Sequence, residues 1–294
     1  FPVEYMTAIL TAESGDVEKI AEIVQKKKKM NIKVLPPNIN ESFGGFTVIG
    51  NSMKETGRAI RFGIYTIKNL GGDIADSIIE ERKTNGGFKT LADFFERINH
   101  KNLNKKSVEA LAKSGAMDDL GDRAQIVGNM EMLLAFNKES RGSQTQSSLF
   151  GEIGGITATL NLTTVPNASQ AELLAWEKDL LGLYISGHPL DAYKEKIEKV
   201  GTTIKKIKTE IRIGMPVTVA VIIDAIRPVT TKKGDRMAFL KLSDHTGSIE
   251  AVLFSKLFET TKDIVEADKI IALTAKVTER NGERSIVIEN LKQI

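Results

Sequence analysis

Apolar residues recur at helical spacing through roughly the first two thirds of the chain, and the last third alternates. Residues 1–13 read as a short helix, and residues 16–30 as a second, with Val17, Ile20, Ala21 and Val24 at i, i+3, i+4 and i+7. The run Lys26–Lys29 closes that helix, where cations suit the negative end of the dipole. Leu35-Pro36-Pro37-Asn38 cannot continue a helix and reads as extended or turn. Phe46 and Val48, then Ile60 and Phe62, predict two short strands around a polar turn at 51–56. Residues 63–135 read as helical. Within them Phe88, Leu91, Phe94, Phe95 and Ile98, then Val108, Leu111 and Ala112, form a helical pair ending at Ser114-Gly115-Ala116. Its phenylalanines are expected in the core.

From Asn137 to Ser148 the residues are polar and small, and 137–170 reads as a linker. Helix returns over 170–200, interrupted at Gly187-His188-Pro189. From Ile211 the period becomes two: Val217, Val219, Val221 and Ile223 alternate with smaller or polar residues. Four further strands follow, with turns at Lys233-Gly234-Asp235, Asp244–Gly247 and Asn281-Gly282 and a helix near 255–265. Five strands with one helix between the third and fourth is the pattern of a small Greek-key barrel of the OB type. The expected fold is therefore multidomain α plus β, a helical module followed by a five-stranded OB-type barrel.

Composition narrows the function classes. Of 294 residues, 41% are hydrophobic and 27% charged, ordinary for a globular chain. There is no cysteine, which excludes disulfides, thiolate nucleophiles and cysteine-based zinc sites. No apolar stretch is long enough to span a bilayer, and FPVEYMTAIL lacks the basic start and cleavage site of a signal peptide. The net charge of +3 permits a nucleic-acid partner without requiring one. The opening reads like the middle of a helical segment, so the chain is taken as a piece of a larger protein.

The most informative local pattern is Gly63 to Ile79. A short helix ends near Lys68, and Asn69 tolerates the left-handed conformation. Leu70 anchors the turn, Gly71 opens the next helix, and Ala75 lets two helices approach. This resembles the helix-hairpin-helix motif, with Asn69 where that motif usually has its first glycine. A helix N-terminus with successive turn amides makes an anion nest that reads backbone and not sequence. Candidate phosphate contacts are Lys68, Asn69, Leu70, Gly71 and Gly72, then Lys101, Lys105 and Lys106 in the basic loop of the following pair. A plain helix-packing unit is the alternative. Residues 58–113 hold eleven Lys and Arg against seven Asp and Glu, an excess of four that favours a phosphate-facing side.

Gln146-Ser147-Ser148-Leu149-Phe150 has the form Q-x-x-L-F inside the linker. Leu149 and Phe150 can fill an apolar pocket while Gln146 bonds at the rim. It resembles the motif by which bacterial replication and repair proteins hold the sliding clamp; packing against its own protein is the alternative. In the barrel, Lys232, Lys233 and Arg236 make the first turn basic, and Phe239 is a candidate base-stacking residue. The alternative is that Phe239 and Phe254 fill the barrel. Residues 211–294 carry thirteen Lys and Arg against eleven Asp and Glu, a balance that predicts modest, salt-sensitive affinity.

Catalytic constellations are not found. No G-x-x-x-x-G-K-[ST] occurs, and no lysine lies in a K-x-D-G nucleotidyl-transfer motif. His100, His188 and His245 show no ligand spacing, and Asp118-Asp119 reads as a helix end and not as a two-metal site.

Taken in order, these parts resemble the alpha subunit of bacterial DNA polymerase III, the family C replicative polymerases, along the whole chain. Phe1–Leu10 is similar to the end of the fingers region. Val34–Asn40 and Arg61–Gly71 are similar to the lead into the tandem helix-hairpin-helix, and Asn104–Leu111 with Ser114–Asp118 to its second half. Glu177–Asp191 is the most specific stretch, with a structural role in which Gly187 and Pro189 end one helix and Leu190 starts another. Gly234–Phe239 and Thr246–Glu250 are similar to the family's barrel.

The resemblance implies an end of fingers with connecting segment at 1–60, the tandem hairpins at 61–135, a linker with the clamp-type motif at 136–172, connecting helices at 173–210 and the OB fold at 211–294. It implies a cytoplasmic DNA-directed DNA polymerase as parent, using magnesium, with its palm carboxylates upstream of this fragment. The fragment itself is expected to hold no catalytic residue, metal or cofactor and to be inactive alone. Its expected partners are primer–template duplex, single-stranded template, the sliding clamp and other holoenzyme subunits, with no membrane. A stand-alone DNA-repair, junction-binding or clamp-interaction module is the alternative.

Overall fold

The structure, a computed structural model, describes residues 2–13, 19–20, 23–24, 32–50, 58–146, 160–195, 197, 201–231, 234–280 and 282–294. Val17, Ala21, Lys26–Lys29, the turn at 51–56, Lys232, Lys233, Leu149 and Phe150 lie outside the described residues. So does the side chain of Gln146. The chain divides into two units, Phe1–Ser186 and Gly187–Ile294.

The first unit opens with α1 (Pro2–Ala12) and a three-stranded sheet, β1 (Lys33–Leu35), β2 (Thr47–Ile49) and β3 (Ala59–Arg61), in the order β1-β3-β2. The strands read from Phe46/Val48 and Ile60/Phe62 are present, and Val48 pairs with Ile60 across the antiparallel ladder. The third strand, parallel to β3, comes from the segment before Pro36. Beyond it, Asn38 accepts from the amide of Asn40 at 2.7 Å and donates from Nδ2 to Asp119 at 2.7 Å. Asn40 meets the backbone of Phe88 with both halves of its amide. Side-chain amides thus stand in for a strand where the prolines remove backbone donors.

Helices follow: α2 (Gly72–Asn85), α3 (Leu91–Arg97), α4 (Lys105–Lys113), α5 (Arg123–Gly128), α6 (Met130–Gln146) and α7 (Gln170–Leu181). Phe94 and Phe95 are fully buried, as the spacing required. Two expectations are corrected. The polar run from Asn137 is not linker at its start, because α6 continues to Gln146. Asn137 is buried and its Nδ2 donates to the carbonyls of Phe95 at 2.5 Å and Ile98 at 2.9 Å, which turns a residue of loop character into a helix anchor. Helix α7 ends at Gly182, left-handed at φ 78°, and not at Gly187. Pro189 instead occupies the first turn of a 3-10 segment, Pro189–Tyr193, capped by His188.

A buried charge network ties α5 to the end of α7. Glu177, with no exposed surface, accepts from the amides of Ile185 and Ser186, both at 3.0 Å, and from Arg123 Nη1 at 3.1 Å. Arg123 also holds Asp118 through Nε and Nη2 at 2.8 Å each. Burial pushes the guanidinium pKa down, but Asp118 and Glu177 outweigh it and the net direction is up. From residue 160 onward the chain crosses α5 in an extended conformation. Asn129 exchanges two hydrogen bonds with the backbone of Thr163, and Gln125 does the same with Val165.

The second unit holds α8 (Ile204–Thr209) and a closed barrel of β4 (Pro216–Thr230), β5 (Arg236–Asp244), β6 (Gly247–Leu253), β7 (Ile270–Arg280) and β8 (Glu283–Gln293). The order β4-β5-β6-β8-β7, with α9 (Ser255–Thr260) between the third and fourth strands, is the OB topology. Val217, Val219, Val221 and Ile223 face the core, as their alternation predicted. A register shift between Ile223 and Ala225 bends β4 so that its first half pairs with β7 and its second with β5. Parallel pairing of β6 with β8, Ala251 opposite Ile286, completes the closure.

Candidate nucleic-acid interface

The first hairpin is built on a tight approach of two backbones. A Cβ at Gly63 would lie 2.3 Å from the carbonyl oxygen of Gly44, so only glycine fits. From there the chain makes one 3-10 turn, Ile64–Thr66, and reaches Asn69 at φ 68°. The left-handed residue foreseen at Asn69 is therefore real. Leu70 is buried and pins the turn from below.

The backbone amides of the corner fall into two groups. Lys68 donates to the Leu180 carbonyl at 3.0 Å and Leu70 to the Ile67 carbonyl at 3.3 Å, so these two candidates are already satisfied. Asn69, Gly71 and Gly72 are exposed, and their amides have no partner among the described residues. Gly71 caps α2 with no side chain to occupy the helix start, and a Cβ on Gly72 would meet nothing within 4 Å. Three amides without a partner among the described residues therefore cluster at a helix N-terminus, an arrangement that suits an oxyanion.

The second turn is different. Asn104 and Ser107 form a capping box that closes the start of α4 on itself. Beyond that box the amides of Lys105 and Lys106 have no partner among the described residues, and the side chains of Lys101, Lys105 and Lys106 are exposed, with Lys105 3.5 Å from Glu131. The two turns are joined by Asn102, whose Nδ2 donates to Asp73 in the first turn of α2 at 2.8 Å. That bond engages one carboxylate oxygen of Asp73, while the other lies 3.6 Å from where a Cβ on Gly71 would stand.

On the barrel, Phe239 points outward. Ala238, Leu240 and Leu242 fill the interior, and Phe254 is 54% exposed, so the barrel-filling alternative is overturned for both phenylalanines. Two guanidiniums lie over the Phe239 ring, Arg227 at 5.0 Å and Arg280 at 4.3 Å from its centroid. Arg227 is its cross-strand partner on β4. A cavity of about 180 Å³ beside the ring includes Arg227, Lys241 and Glu250. A larger one of about 470 Å³ continues across β6 to Lys208, Arg280 and Arg284. Arg284 Nη1 is shielded there without a hydrogen-bond partner. These basic residues were not singled out in the sequence, because they come from five different elements and only barrel closure collects them. Arg236 is exposed at the start of β5. The groove crosses the second and third strands toward the β7–β8 turn, the face on which OB folds take oligonucleotides.

Family comparisons agree with both parts. The helix-hairpin-helix motif matches residues 31–126 and the OB-fold nucleic acid binding domain matches residues 217–294. A DNA polymerase III subunit alpha from Borreliella burgdorferi is 33% identical over 100% of this chain and 26% of its own length. That from Thermus aquaticus is 34% identical over 94% of this chain and 22% of its length, and that from Aquifex aeolicus 35% over 93% and 22%. The chain belongs to the DNA polymerase III alpha-subunit family. It spans about a quarter of the length of these relatives.

Among the described residues of this family member, no helix is long and apolar enough to cross a membrane. Nor do three or more His, Asp or Glu converge as metal ligands. Asp118 and Asp119, the adjacent carboxylates from which a magnesium site would start, are taken by Arg123 and Asn38. The residues here do not fit a magnesium centre.

Proposed function

We propose that this chain is the DNA-gripping part of a cytoplasmic replicative polymerase. The parent protein joins nucleotides with magnesium held elsewhere, and this part binds DNA without extending it. The open Asn69–Gly72 corner takes a phosphate of primer–template duplex on backbone amides. Lys68, Lys101, Lys105 and Lys106 add cations around it. The barrel groove takes single-stranded template, with Phe239 as stacking surface and Arg236, Lys232 and Lys233 toward its rim. Gln146, Leu149 and Phe150 tether the sliding clamp, and other holoenzyme subunits assemble on the parent. The single observation that carries the DNA reading is the trio of unpartnered amides at an uncapped helix start beside a basic loop.

The experiment is duplex binding by fluorescence anisotropy across a salt series. Contact with two to four phosphates gives a slope of log K against log salt of about −2 to −4. A slope near zero removes the nucleic-acid reading and leaves a scaffold. Nucleotide incorporation by this chain alone would refute the division of labour with the parent.

A further inference from the structure

We propose that Glu250 is a built-in competitor for the phosphates of a strand in the barrel groove and sets how loosely that strand is held. This rests on reading the groove as a single-strand site. Glu250 lines both cavities of the groove and has Lys241 and Ser285 as cross-strand neighbours. Arg280 Nη1 lies 3.9 Å from its Oε2. The same guanidinium covers the Phe239 ring at 4.3 Å. One cation therefore serves a carboxylate and an aromatic face together.

An approaching phosphate meets an arginine already facing a carboxylate, and an approaching base meets a ring already covered. The Arg280 and Glu250 side chains are 41% and 64% exposed, so their attraction is screened and exchange is easy. A phosphate takes over Arg280 from Glu250 and draws it off the ring, which then keeps Arg227 alone over it and can stack on a base. The ligand so recognised is an unpaired polynucleotide that offers phosphate and base side by side. Glu250 keeps its affinity at a level that lets the strand advance.

The test uses the full chain, a fluorescein-labelled oligothymidylate and a salt series. Glu250→Gln keeps the shape and removes the charge. Relieving one weak surface pairing is expected to tighten binding about two- to five-fold at low salt. The slope of log K against log salt should steepen by about 0.7, the share of one more phosphate neutralised on a single strand. Glu266→Gln makes the same charge change in the Glu266–Lys269 pair, away from the groove, and should change neither. Equal or weaker binding by Glu250→Gln, or the same gain from Glu266→Gln, overturns the competitor. Phe239→Leu separates the two levels of the argument. Weaker binding there with no gain in Glu250→Gln keeps the groove and discards the competitor; affinity unchanged in both variants discards the groove itself.

Discussion

Gly72→Glu separates folding from DNA binding at the hairpin corner. A Cβ at Gly72 has no heavy atom within 4 Å, and the position is the first residue of α2, so the side chain enters without a clash. Replacing glycine in a helix gains up to about 1 kcal/mol. A carboxylate in the first turn adds about 0.3–1 kcal/mol through the dipole. Melting temperature should therefore hold or rise. The same carboxylate occupies the space before the amides of Asn69, Gly71 and Gly72, where a phosphate would sit. Removing one charge-assisted hydrogen bond costs about 1.5–3 kcal/mol, about ten- to one-hundred-fold in duplex affinity. The salt slope should shrink by about 0.9 for each phosphate that the corner no longer neutralises. Anisotropy with a labelled duplex measures both, and Gly72→Ala, which adds no charge, should weaken binding far less. An unchanged affinity in a stably folded Gly72→Glu would refute the amide-cradle argument.

Other outcomes are equally open to measurement. Asn69→Gly should leave duplex affinity intact, since glycine accepts φ 68° freely, whereas Asn69→Val should destabilise the first unit by about 1–2 kcal/mol in urea unfolding. Glu177→Ala should cost about 3–5 kcal/mol in the same assay, because Arg123 is left partly unpaired inside the protein. Hydrogen bonds from Ser169 hold the Glu172 carboxyl below its ordinary 4.5. A lowered carboxyl contributes stability above its unfolded value and loses it as pH falls through the folded one. Glu172→Gln should thus lower the melting temperature at neutral pH, and the gap should close in acid. Replacing Leu149 and Phe150 by alanine should abolish retention on immobilised sliding clamp if those residues are its tether.

The sequence made local features legible and left assembled ones hidden. The Asn69 turn showed because the left-handed conformation selects Asn or Gly residue by residue. The barrel showed because period-two alternation runs clearly through the start of β4 and through β7. Helix α6 did not show past Asn137, since its anchor is a pair of carbonyls on α3 and the residue after it, distant in sequence. The cations around Phe239 were invisible for the same reason: Arg227 and Arg280 reach one ring only after β4 and β7 close the barrel. Lys68 and Leu70 could not be told from Asn69 and Gly71 until the acceptors of their amides were placed.

The single hydrogen bond from Asn102 to Asp73 reaches beyond its own strength. By stapling one corner to the next it fixes the gap between an amide cradle and a lysine cluster, much as two pins on a caliper are locked at one setting. A fixed gap cannot adapt to the letters of a sequence. On the duplex reading, such a gap answers to the repeat of the sugar–phosphate ladder and treats one base sequence like another.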